Sequence, residues 1–436
     1  MPRSDIFHGD FKAKPFWWEA YQPAIAGAVD VPRAARVAIV GGGYTGLCAA
    51  IELHRLGIDA VVLDAAEPGF GGSTRNGGMV SGGTSVGKRY TGANTRDELQ
   101  RLFTDASESF TLIERIIAEN KIDCEWTKTG RFGGAWAKKH YLQMAKKLGP
   151  LNEYAGSDAY MLPKERQRDE IASDYYHGGM VAMRAAHLHP AKYYKGLLDI
   201  ASGKSIAICG KAPVTKIAQA GAKWHVETAR GTVEAGDVVI ATNGYTGDVT
   251  PNLKRRVVPV GSYIIATEEM PEDLAFSLMP HNKSIYDTRR VLTYYRMSGD
   301  RRRLIFGGRA KFSLSDPVDT APILYQHMVD RFPQLAGVKI THAWTGNVAF
   351  TFDEVPHMGR MDGLHYALGC NGSGVAMMTY LGTQTARKIA AVANYACAFD
   401  REEFPDHPLY AGDPKWLLPV IGPYFRTRDW LDRKLG

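Results

Sequence analysis

The chain has 436 residues, of which 45% are apolar and 23% charged, as in ordinary globular proteins. This length exceeds what one hydrophobic core usually serves, so two domains are expected. The formal net charge of +7 has dense basic spots only at 289–291 and 301–304, without a motif that combines basic and stacking residues, which argues against nucleic acid as a partner. The sequence shows no membrane span or signal segment, and its five scattered cysteines favour reduced thiols, so a cytoplasmic location is expected.

The first regular elements are a strand, a helix and a second strand. Residues 36–40 form a continuous apolar run rich in β-branched residues, which is typical of a strand buried on both faces. Apolar residues at helical spacing predict a helix over 44–56, ended by Gly57, and 59–64 is a second buried strand. This βαβ start predicts an α/β, Rossmann-like domain.

The turn between the first strand and the helix matches the pattern G-x-G-x-x-G. Gly41 permits the tight turn, Gly43 lets the backbone approach a pyrophosphate, and Gly46 lets the helix pack closely on the strand. The helix N-terminus, with Tyr44 and Thr45, then faces the anion. Asp64 ends the second strand, where a carboxylate can bind a ribose 2′-hydroxyl and repel the extra phosphate of NADP. These features predict a dinucleotide site but do not separate FAD from NAD.

Three later features favour a flavin. The run 69–78 follows the ribose acid and offers a glycine-rich corridor for a long cofactor. Thr242 and Gly244 end another buried strand (237–241), beside the crevice where α/β sheets bind ligands. The turn 369–374 opens a helix (375–393) whose N-terminus can stabilise the negative charge of reduced flavin. Each feature has a simpler alternative when taken singly: a loop for 69–78, an ordinary strand-to-loop turn for 242–244, and a plain capped helix for 369–374. The further cofactor contacts expected here are Ser73, Thr74, Arg75, Asn76, Gly77, Gly78, Gly369, Gly372, Ser373, Gly374 and Val375.

The rest of the chain suits a second, substrate-binding domain. An amphipathic helix is expected over 96–120, a charged and irregular section over 121–175, and a helix from Pro190 through Leu198. Alternating strands at 257–266, 291–297 and 303–308 predict an antiparallel sheet that carries a substrate. We expect a discontinuous FAD-binding domain over 1–95, 176–250 and 341–400, a helical and substrate-side segment over 96–175, a substrate sheet over 251–340 and a C-terminal extension over 401–436.

Taken together, these stretches resemble the D-amino-acid oxidase-like superfamily of FAD-dependent oxidoreductases, and within it the γ-glutamylputrescine oxidase group. The matching residues are 41–47, 69–78, 304–309, 344–356 with Gly359, and 369–374. The resemblance implies an FAD domain joined to an α+β substrate domain, and hydride removal from a carbon that bears nitrogen, giving an imine that water hydrolyses. It also implies that Val214 lies near the adenine half of FAD.

Departures from the superfamily pattern bear on the cofactor and the electron acceptor. Some relatives attach flavin through a cysteine in the Trp344 region, where this chain has Gly346 and Asn347, and no histidine occurs between Gly69 and Met79. Non-covalent FAD is therefore expected. Related sarcosine oxidases carry an oxygen-activating lysine in the strand that here reads 304–307, and this chain has no lysine there. The electron acceptor, oxygen or another compound, is therefore left undecided.

Tyr294, Tyr295 and Arg309 lie on the predicted substrate sheet, and the resemblance implies that they are near the flavin, so they are the expected substrate contacts. Strand alternation sends the two tyrosines to opposite faces, so one of them at most faces the flavin, and core packing is the alternative role. Arg309 suits a bidentate pair with a substrate carboxylate, or else a structural ion pair. His187 and His189 lack a third ligand nearby, so no metal is expected. Trp17 and Trp18 are expected to pack on their own domain, with a partner surface as the alternative. The C-terminal segment from Tyr424 is expected to form a helix docked on the protein rather than a membrane anchor.

The leading hypothesis is oxidation of a small amine or amino acid, with γ-glutamylputrescine-like amines first. The alternative enzyme is an oxidase or dehydrogenase of a cyclic or N-methylated amino acid, such as pipecolate or sarcosine. The alternative from another class is a flavin-binding subunit without amine chemistry.

Overall fold

A computed structural model describes residues 3–24, 29–82, 95–312, 315–415 and 417–436. The strands are β1 (Phe7–Lys12), β2 (Ala34–Val40), β3 (Ala60–Leu63), β4 (Met79–Ser81), β5 (Arg131–Gly134), β6 (Ala159–Leu162), β7 (Gly179–Ala182), β8 (Ala185–His187), β9 (Ala207–Cys209), β10 (Val214–Ala220), β11 (Lys223–Thr228), β12 (Gly231–Ile240), β13 (Val258–Thr267), β14 (Ser284–Asp287), β15 (Thr293–Met297), β16 (Leu304–Gly308), β17 (Ile340–Phe350), β18 (His357–Met361) and β19 (Leu364–Leu368). The helices are α1 (Tyr44–Arg55), α2 (Arg96–Glu119), α3 (Lys138–Ala145), α4 (Leu148–Ala155), α5 (Pro190–Gly203), α6 (Pro251–Lys254), α7 (Glu272–Leu278), α8 (Pro317–Arg331), α9 (Gly374–Ile389) and α10 (Leu418–Leu435).

An eight-stranded sheet contains the predicted βαβ unit. Its path is β10-β11-β12-β2-β3-β9, and β19, which also pairs with β18, joins the end of β12. The neighbours β9, β3, β2, β12 and β19 run parallel, so their carboxyl ends lie at one edge. The buried apolar runs at 36–40, 59–64 and 237–241 all form strands here, which confirms the predicted Rossmann-like sheet.

Helices α1 and α9 pack together over this sheet at points where glycines allow close approach. A Cβ at Gly382 of α9 would lie 2.2 Å from the carbonyl oxygen of Thr45 in α1, and one at Gly46 would lie 1.9 Å from that of Gly41. The same core includes Leu47 and Leu53, both fully buried. This packing sets the N-termini of both helices over the same edge of the sheet.

A nine-stranded sheet, ordered β1-β17-β13-β16-β15-β14-β5-β7-β6, makes up the second half of the molecule. Most of its pairs are antiparallel, as expected of the substrate sheet, while β1 with β17 and β14 with β5 are parallel. Helix α8 packs on one face through Leu324 and Met328, which belong to the same apolar core as Phe306.

The interpretation of residues 121–175 as irregular is wrong. That section contains β5, β6, α3 and α4, and β5 lies inside the nine-stranded sheet between β14 and β7. Its sequence, Arg-Phe-Gly-Gly, is short and half glycine, so local propensity gives no strand signal. Two helix ends also differ, because α5 continues past Leu198 to Gly203 and α9 stops at Ile389.

The expectations for the two ends of the chain are confirmed. Trp17 is fully buried, and α10 docks on the protein through Asp429 and Asp432.

All five cysteines are free thiols, and four of them are buried. Among the described residues, no helix is long and apolar enough to cross a membrane.

Candidate active site

A cavity of about 450 Å³ opens where the carboxyl ends of β3, β2, β12 and β19 meet the nine-stranded sheet. Chain segments that leave parallel strands at a common edge converge in space, which is why motifs far apart in sequence share this cavity. Of the expected site residues, those that line it are Gly41, Gly43, Tyr44, Thr45, Asp64, Ser73, Arg75, Asn76, Gly77, Val214, Thr242, Tyr294, Arg309, Gly372, Ser373, Gly374 and Val375.

The other expected site residues do not line this cavity. Each is turned into the protein: Gly46 against the carbonyl of Gly41, Thr74 in hydrogen bonds with Gly69 and Trp18, Gly78 against the carbonyl of Leu188, Gly244 against Asn347, Gly369 against Thr351, and Tyr295 against Phe306. These residues support the backbone of the cavity wall and do not face the cavity. A sequence motif does not distinguish that role from direct contact with a ligand.

The glycine turn after β2 leaves room that a side chain would fill. Gly41 has a φ of +107°, in the region that favours glycine, and a Cβ at Gly43 would lie 2.9 Å from Oγ of Ser73. The hydroxyl of Tyr194 in α5 donates to the carbonyl of Gly42 at 2.7 Å and holds the turn from outside. The N–H groups of Gly41, Gly42 and Tyr44 donate to Leu63, Asp64 and Ser73. Gly43 and Thr45 line the cavity at the N-terminus of α1, a position that fits a pyrophosphate.

Asp64 lies at the end of β3 and lines the cavity. Its Oδ2 accepts from the N–H of Gly42 at 2.7 Å, and its Oδ1 accepts from the N–H of Ala66 at 2.9 Å. Burial raises the pKa of Asp64, and the hydrogen bonds from Ala66 and Gly42 oppose that rise. Each carboxylate oxygen has a second lone pair, so the side chain fixes the turn and can still accept from a ribose hydroxyl.

The backbone of the glycine-rich run is held from behind by three side chains. The carbonyls of Arg75, Asn76 and Gly77 accept in turn from the indole N–H of Trp344 at 2.8 Å, the indole N–H of Trp17 at 2.8 Å and Nε of Arg296 at 2.8 Å. The Arg296 guanidinium also lies 4.8 Å from the centre of the Trp17 ring. Arg75, Asn76 and Gly77 line the cavity on their other side.

Asn76 and Ser73 are polar residues of this run with local partners. The Asn76 amide donates to the carbonyls of Gly72 and Ser73, and its oxygen accepts from the N–H of Gly78 at 2.8 Å. Oγ of Ser73 accepts from the N–H of Tyr44 at 3.0 Å, which ties the run to the first turn of α1. The two glycine-rich motifs thus form one continuous wall.

The strand-end motif at 242–244 and the turn at 369–374 are linked by Asn243, the middle residue of that motif, for which the sequence predicted no contact of its own. Asn243 has a φ of +44°, and its side-chain oxygen accepts from the N–H groups of Gly369 at 3.0 Å and Cys370 at 3.3 Å. The following helix, α9, has Ser373 at its N-cap, with no side-chain capping bond within the described chain. Its first N–H groups therefore remain available to an anionic edge of a ligand.

Only one of the two tyrosines of β15 lines the cavity. Tyr294 does so, and its hydroxyl lies 2.9 Å from Oγ of Ser262. Tyr295 stacks on Phe306 from the opposite face, and its hydroxyl lies 2.9 Å from that of Tyr176. Desolvation raises the pKa of Tyr294 to about 12, so it is a neutral phenol at neutral pH.

Arg309 follows β16 and lines the same end of the cavity as Tyr294. Its Nη1 donates to the carbonyl of Arg290 at 2.9 Å, and its guanidinium lies 4.4 Å from the centre of the Phe350 ring. Burial lowers the pKa of Arg309 to about 10, so the side chain is still a cation at neutral pH. Within the described chain, Arg309 has no carboxylate at ion-pair distance, in contrast to the expected alternative of a structural ion pair.

Arg131 and Tyr286 also line the cavity and were missed by the sequence analysis. The Arg131 guanidinium lies 4.0 Å from the centre of the Tyr286 ring, and burial lowers its pKa. Both belong to strands, β5 and β14, whose parallel pairing was invisible from local sequence. The cavity wall formed by the nine-stranded sheet therefore carries two cations, Arg131 and Arg309.

The two histidines at 187 and 189 have structural partners. Nδ1 of His187 lies 3.2 Å from Nη1 of Arg296, and Nδ1 of His189 caps α5 by accepting from the N–H of Lys192. Burial lowers the pKa of each to about 3, so both are neutral. No cluster of three or more metal-ligating side chains occurs in the part of the chain that is described.

Comparison with solved structures identifies the fold. Glycine oxidase from Geobacillus kaustophilus superposes with a TM-score of 0.69 at 18% identity, over 86% of this chain and 99% of that one. L-proline dehydrogenase from P. horikoshii superposes with a TM-score of 0.69 at 16% identity, over 82% of this chain and 94% of that one. At these identities the likeness concerns the fold alone.

Sequence comparison finds relatives of higher identity. Gamma-glutamylputrescine oxidoreductase from Escherichia coli (strain K12) is 34% identical over 405 residues, which cover 91% of this chain and 93% of that protein. Probable oxidoreductase OrdL from Haemophilus influenzae (strain ATCC 51907 / DSM 11121 / KW20 / Rd) is 32% identical, over 81% of this chain and 83% of that protein. The family described as FAD dependent oxidoreductase (DAO) matches residues 36–388. The match contains the glycine turn, Asp64, the run at 69–78 and all but the last residue of α9, and the chain belongs to this family of FAD-dependent oxidoreductases.

Proposed function

We propose that this protein oxidises the C–N bond of a small amine or amino acid with non-covalently bound FAD, and that γ-glutamylputrescine-like amines are its leading substrates. The observation that carries the proposal is one cavity lined both by the dinucleotide-type glycine turn and by Tyr294 and Arg309. The kinship with gamma-glutamylputrescine oxidoreductase supports the substrate class.

The residues assigned to the cofactor are those that the cavity exposes along its glycine-rich wall. Gly41 and 43–45 would hold the pyrophosphate, Asp64 the ribose and Val214 the adenine side, with Ser73, 75–77 and the N-terminus of α9 against the flavin ring. Bound FAD supplies an acceptor for the hydride that leaves the substrate carbon, and the resulting imine is hydrolysed by water.

The protein's own part in this chemistry is to bind and orient the amine. Two cations, Arg131 and Arg309, line the substrate end of the cavity, and a nearby positive charge lowers the pKa of a bound amine. The neutral amine, which is the form that can lose a hydride, is thereby favoured. Arg309 can hold a substrate carboxylate through two parallel hydrogen bonds, while the neutral Tyr294 hydroxyl can donate to or accept from the amine.

Anaerobic reduction by a panel of amines tests the proposal. The panel contains γ-glutamylputrescine, putrescine, glycine, sarcosine and pipecolate, and bleaching of the flavin absorbance is followed in the absence of oxygen. We expect γ-glutamylputrescine to bleach the flavin fastest. Faster bleaching by pipecolate or sarcosine would favour the cyclic or N-methylated class, and no bleaching by any amine, while dithionite still reduces the flavin, would favour a non-catalytic flavin-binding subunit.

Two further measurements address the cofactor and the acceptor. Acid precipitation should release a yellow supernatant that contains FAD, whereas colour that stays with the pellet would show a covalent link. Reoxidation of the reduced protein by oxygen, compared with an artificial acceptor such as a quinone, separates an oxidase from a dehydrogenase.

A further inference from the structure

Helix α10 docks on the protein with its acidic residues inward. Asp429 and Asp432 are the acids of this helix, and they are only 5% and 4% exposed. Asp429 accepts from the backbone N–H groups of Arg290 at 3.0 Å and Val291 at 2.9 Å, and Asp432 pairs with Nη1 of Arg290 at 2.6 Å. Every carboxylate of the helix is therefore used in docking.

The outer face of α10 is apolar and cationic as a result. Its large apolar side chains are Val420, Tyr424, Trp430 and Leu435, which are 66%, 55%, 58% and 82% exposed. Arg428 and Lys434 are exposed on the same helix. A surface helix usually buries apolar side chains and exposes charged ones. The C-terminal half of α10 does the reverse, because Asp429 and Asp432 are buried while Trp430 and Leu435 are exposed.

Such a face is stable in contact with a surface that accepts apolar side chains and attracts cations. Tryptophan and tyrosine have amphipathic rings suited to the headgroup level of a bilayer, and arginine and lysine add attraction to anionic lipids. A second copy is a poorer match, because a two-fold contact across this helix would set Arg428 and Lys434 against their own symmetry mates with no free carboxylate from the helix. The net charge of +7 also favours association with an anionic surface.

We propose that the outer face of α10 docks the protein on an anionic lipid surface, with the helix lying in the plane of the interface. The helix binds by its exposed side while its acids keep it attached to the protein. The outward side chains of α10 do not line the cavity, so variants of this face test docking on lipid without changing the residues that line the site.

Flotation of the FAD-loaded protein with vesicles tests this proposal. Vesicles of phosphatidylcholine alone are compared with vesicles of phosphatidylcholine and phosphatidylglycerol, at low and at high salt. We expect binding to the anionic vesicles, weakened by salt, and a loss of about tenfold in partitioning for Trp430→Ser/Leu435→Ser. Arg428→Glu/Lys434→Glu should abolish the preference for phosphatidylglycerol.

Matched variants elsewhere on the surface serve as controls. Leu409→Ser removes an apolar side chain that is 69% exposed, and Lys146→Glu/Lys204→Glu makes the same charge change at two exposed lysines. Neither should alter partitioning, and all variants should keep their flavin absorbance and turnover. Failure of the parent protein to float with anionic vesicles, equal loss in the control variants, or a dimer in light scattering that Trp430→Ser converts to a monomer without any lipid binding would each overturn the proposal.

Discussion

At the scale of single residues, the glycine-rich run at 69–78 is held by side chains that lie far from it in sequence. Trp17, Trp344 and Arg296 donate to three consecutive carbonyl groups, so the backbone orientation of Arg75, Asn76 and Gly77 is set before any ligand arrives. Glycine loses more conformational freedom on ordering than any other residue, and such anchors offset that cost. Trp17, which donates to the carbonyl of Asn76, is fully buried, so its ring does not cover a partner surface.

Asp64 has one role that the structure shows and one that we propose. Its carboxylate accepts from the N–H of Gly42 and fixes the glycine turn, and we propose that its remaining lone pairs accept from a ribose hydroxyl. We expect Asp64→Asn to weaken FAD binding by about 1.5–3 kcal/mol, because a hydrogen bond to a charged acceptor is replaced by a weaker or mismatched one. The measurement is FAD affinity by titration of the apoprotein.

A control for this variant lies at the other end of the same strand. Asp59→Asn removes an exposed carboxylate directly before β3, at the opposite end of the strand from Asp64, and should leave FAD affinity unchanged. The melting temperature of each apoprotein reports the role of Asp64 in the turn, independently of FAD. An Asp64→Asn protein that binds FAD as tightly as the parent would show that the carboxylate does not contact the cofactor.

At the scale of elements, the strands and helices with strong local signals were predicted well. Buried parallel strands are nearly continuous apolar runs, so β2, β3 and β12 were visible in the sequence, as was α2 with its long apolar stripe. Strand alternation also foretold that Tyr294 and Tyr295 would face opposite ways. These features depend on periods of two or 3.6 residues, which a single segment carries by itself.

Elements whose existence depends on distant partners were not predictable in this way. Strand β5 is Arg-Phe-Gly-Gly and becomes a strand because β14 and β7 flank it, and this placement brings Arg131 into the cavity. In β1, Phe7 pairs with Ile340 of β17, a contact that no local pattern encodes. Asn243 is similar, since its role depends on where Gly369 lies in space.

Helix α10 connects the C-terminal segment to the candidate active site. Asp429 binds the backbone N–H groups of Arg290 and Val291, and the carbonyl of Arg290 accepts from Nη1 of Arg309 at 2.9 Å. We expect Asp429→Asn to raise KM for a carboxylate-bearing substrate about tenfold with little change in kcat, because one N–H loses its acceptor and Arg309 loses its fixed support. Steady-state kinetics gives both constants.

A double-mutant cycle separates this positioning role from a general loss of stability. In an Arg309→Ala background, Asp429→Asn should have no further effect on KM, since its action runs through Arg309. Asp413→Asn, an exposed acid just before the helix, is the matched control. Equal losses from Asp429→Asn with and without Arg309 would mean that the helix does not position that guanidinium.

At the scale of the whole molecule, the cavity joins two structures with separate apolar cores. One wall comes from the parallel edge of the eight-stranded sheet, and the other comes from strands β5, β13, β14, β15 and β17 of the nine-stranded sheet. Their apolar residues belong to different clusters, one with Leu47 and Leu53 and one with Phe306 and Leu324. A ligand that contacts both walls is bound by the folded form of both halves, and its binding free energy therefore stabilises them together.

We expect FAD to raise the free energy of unfolding of the whole chain by about 2.7 kcal/mol at a concentration 100 times its Kd. Urea unfolding followed by circular dichroism should then show a higher midpoint with FAD, with the slope of the transition unchanged. Riboflavin is the matched ligand, since it has the flavin ring without the diphosphate that the turn at 41–46 would hold. It should raise the midpoint much less than FAD. Equal midpoint shifts from the two ligands would show that the flavin ring supplies most of the binding free energy, and would contradict the glycine turn as the main binding element. Two separate unfolding transitions with FAD bound would show that the two halves unfold independently.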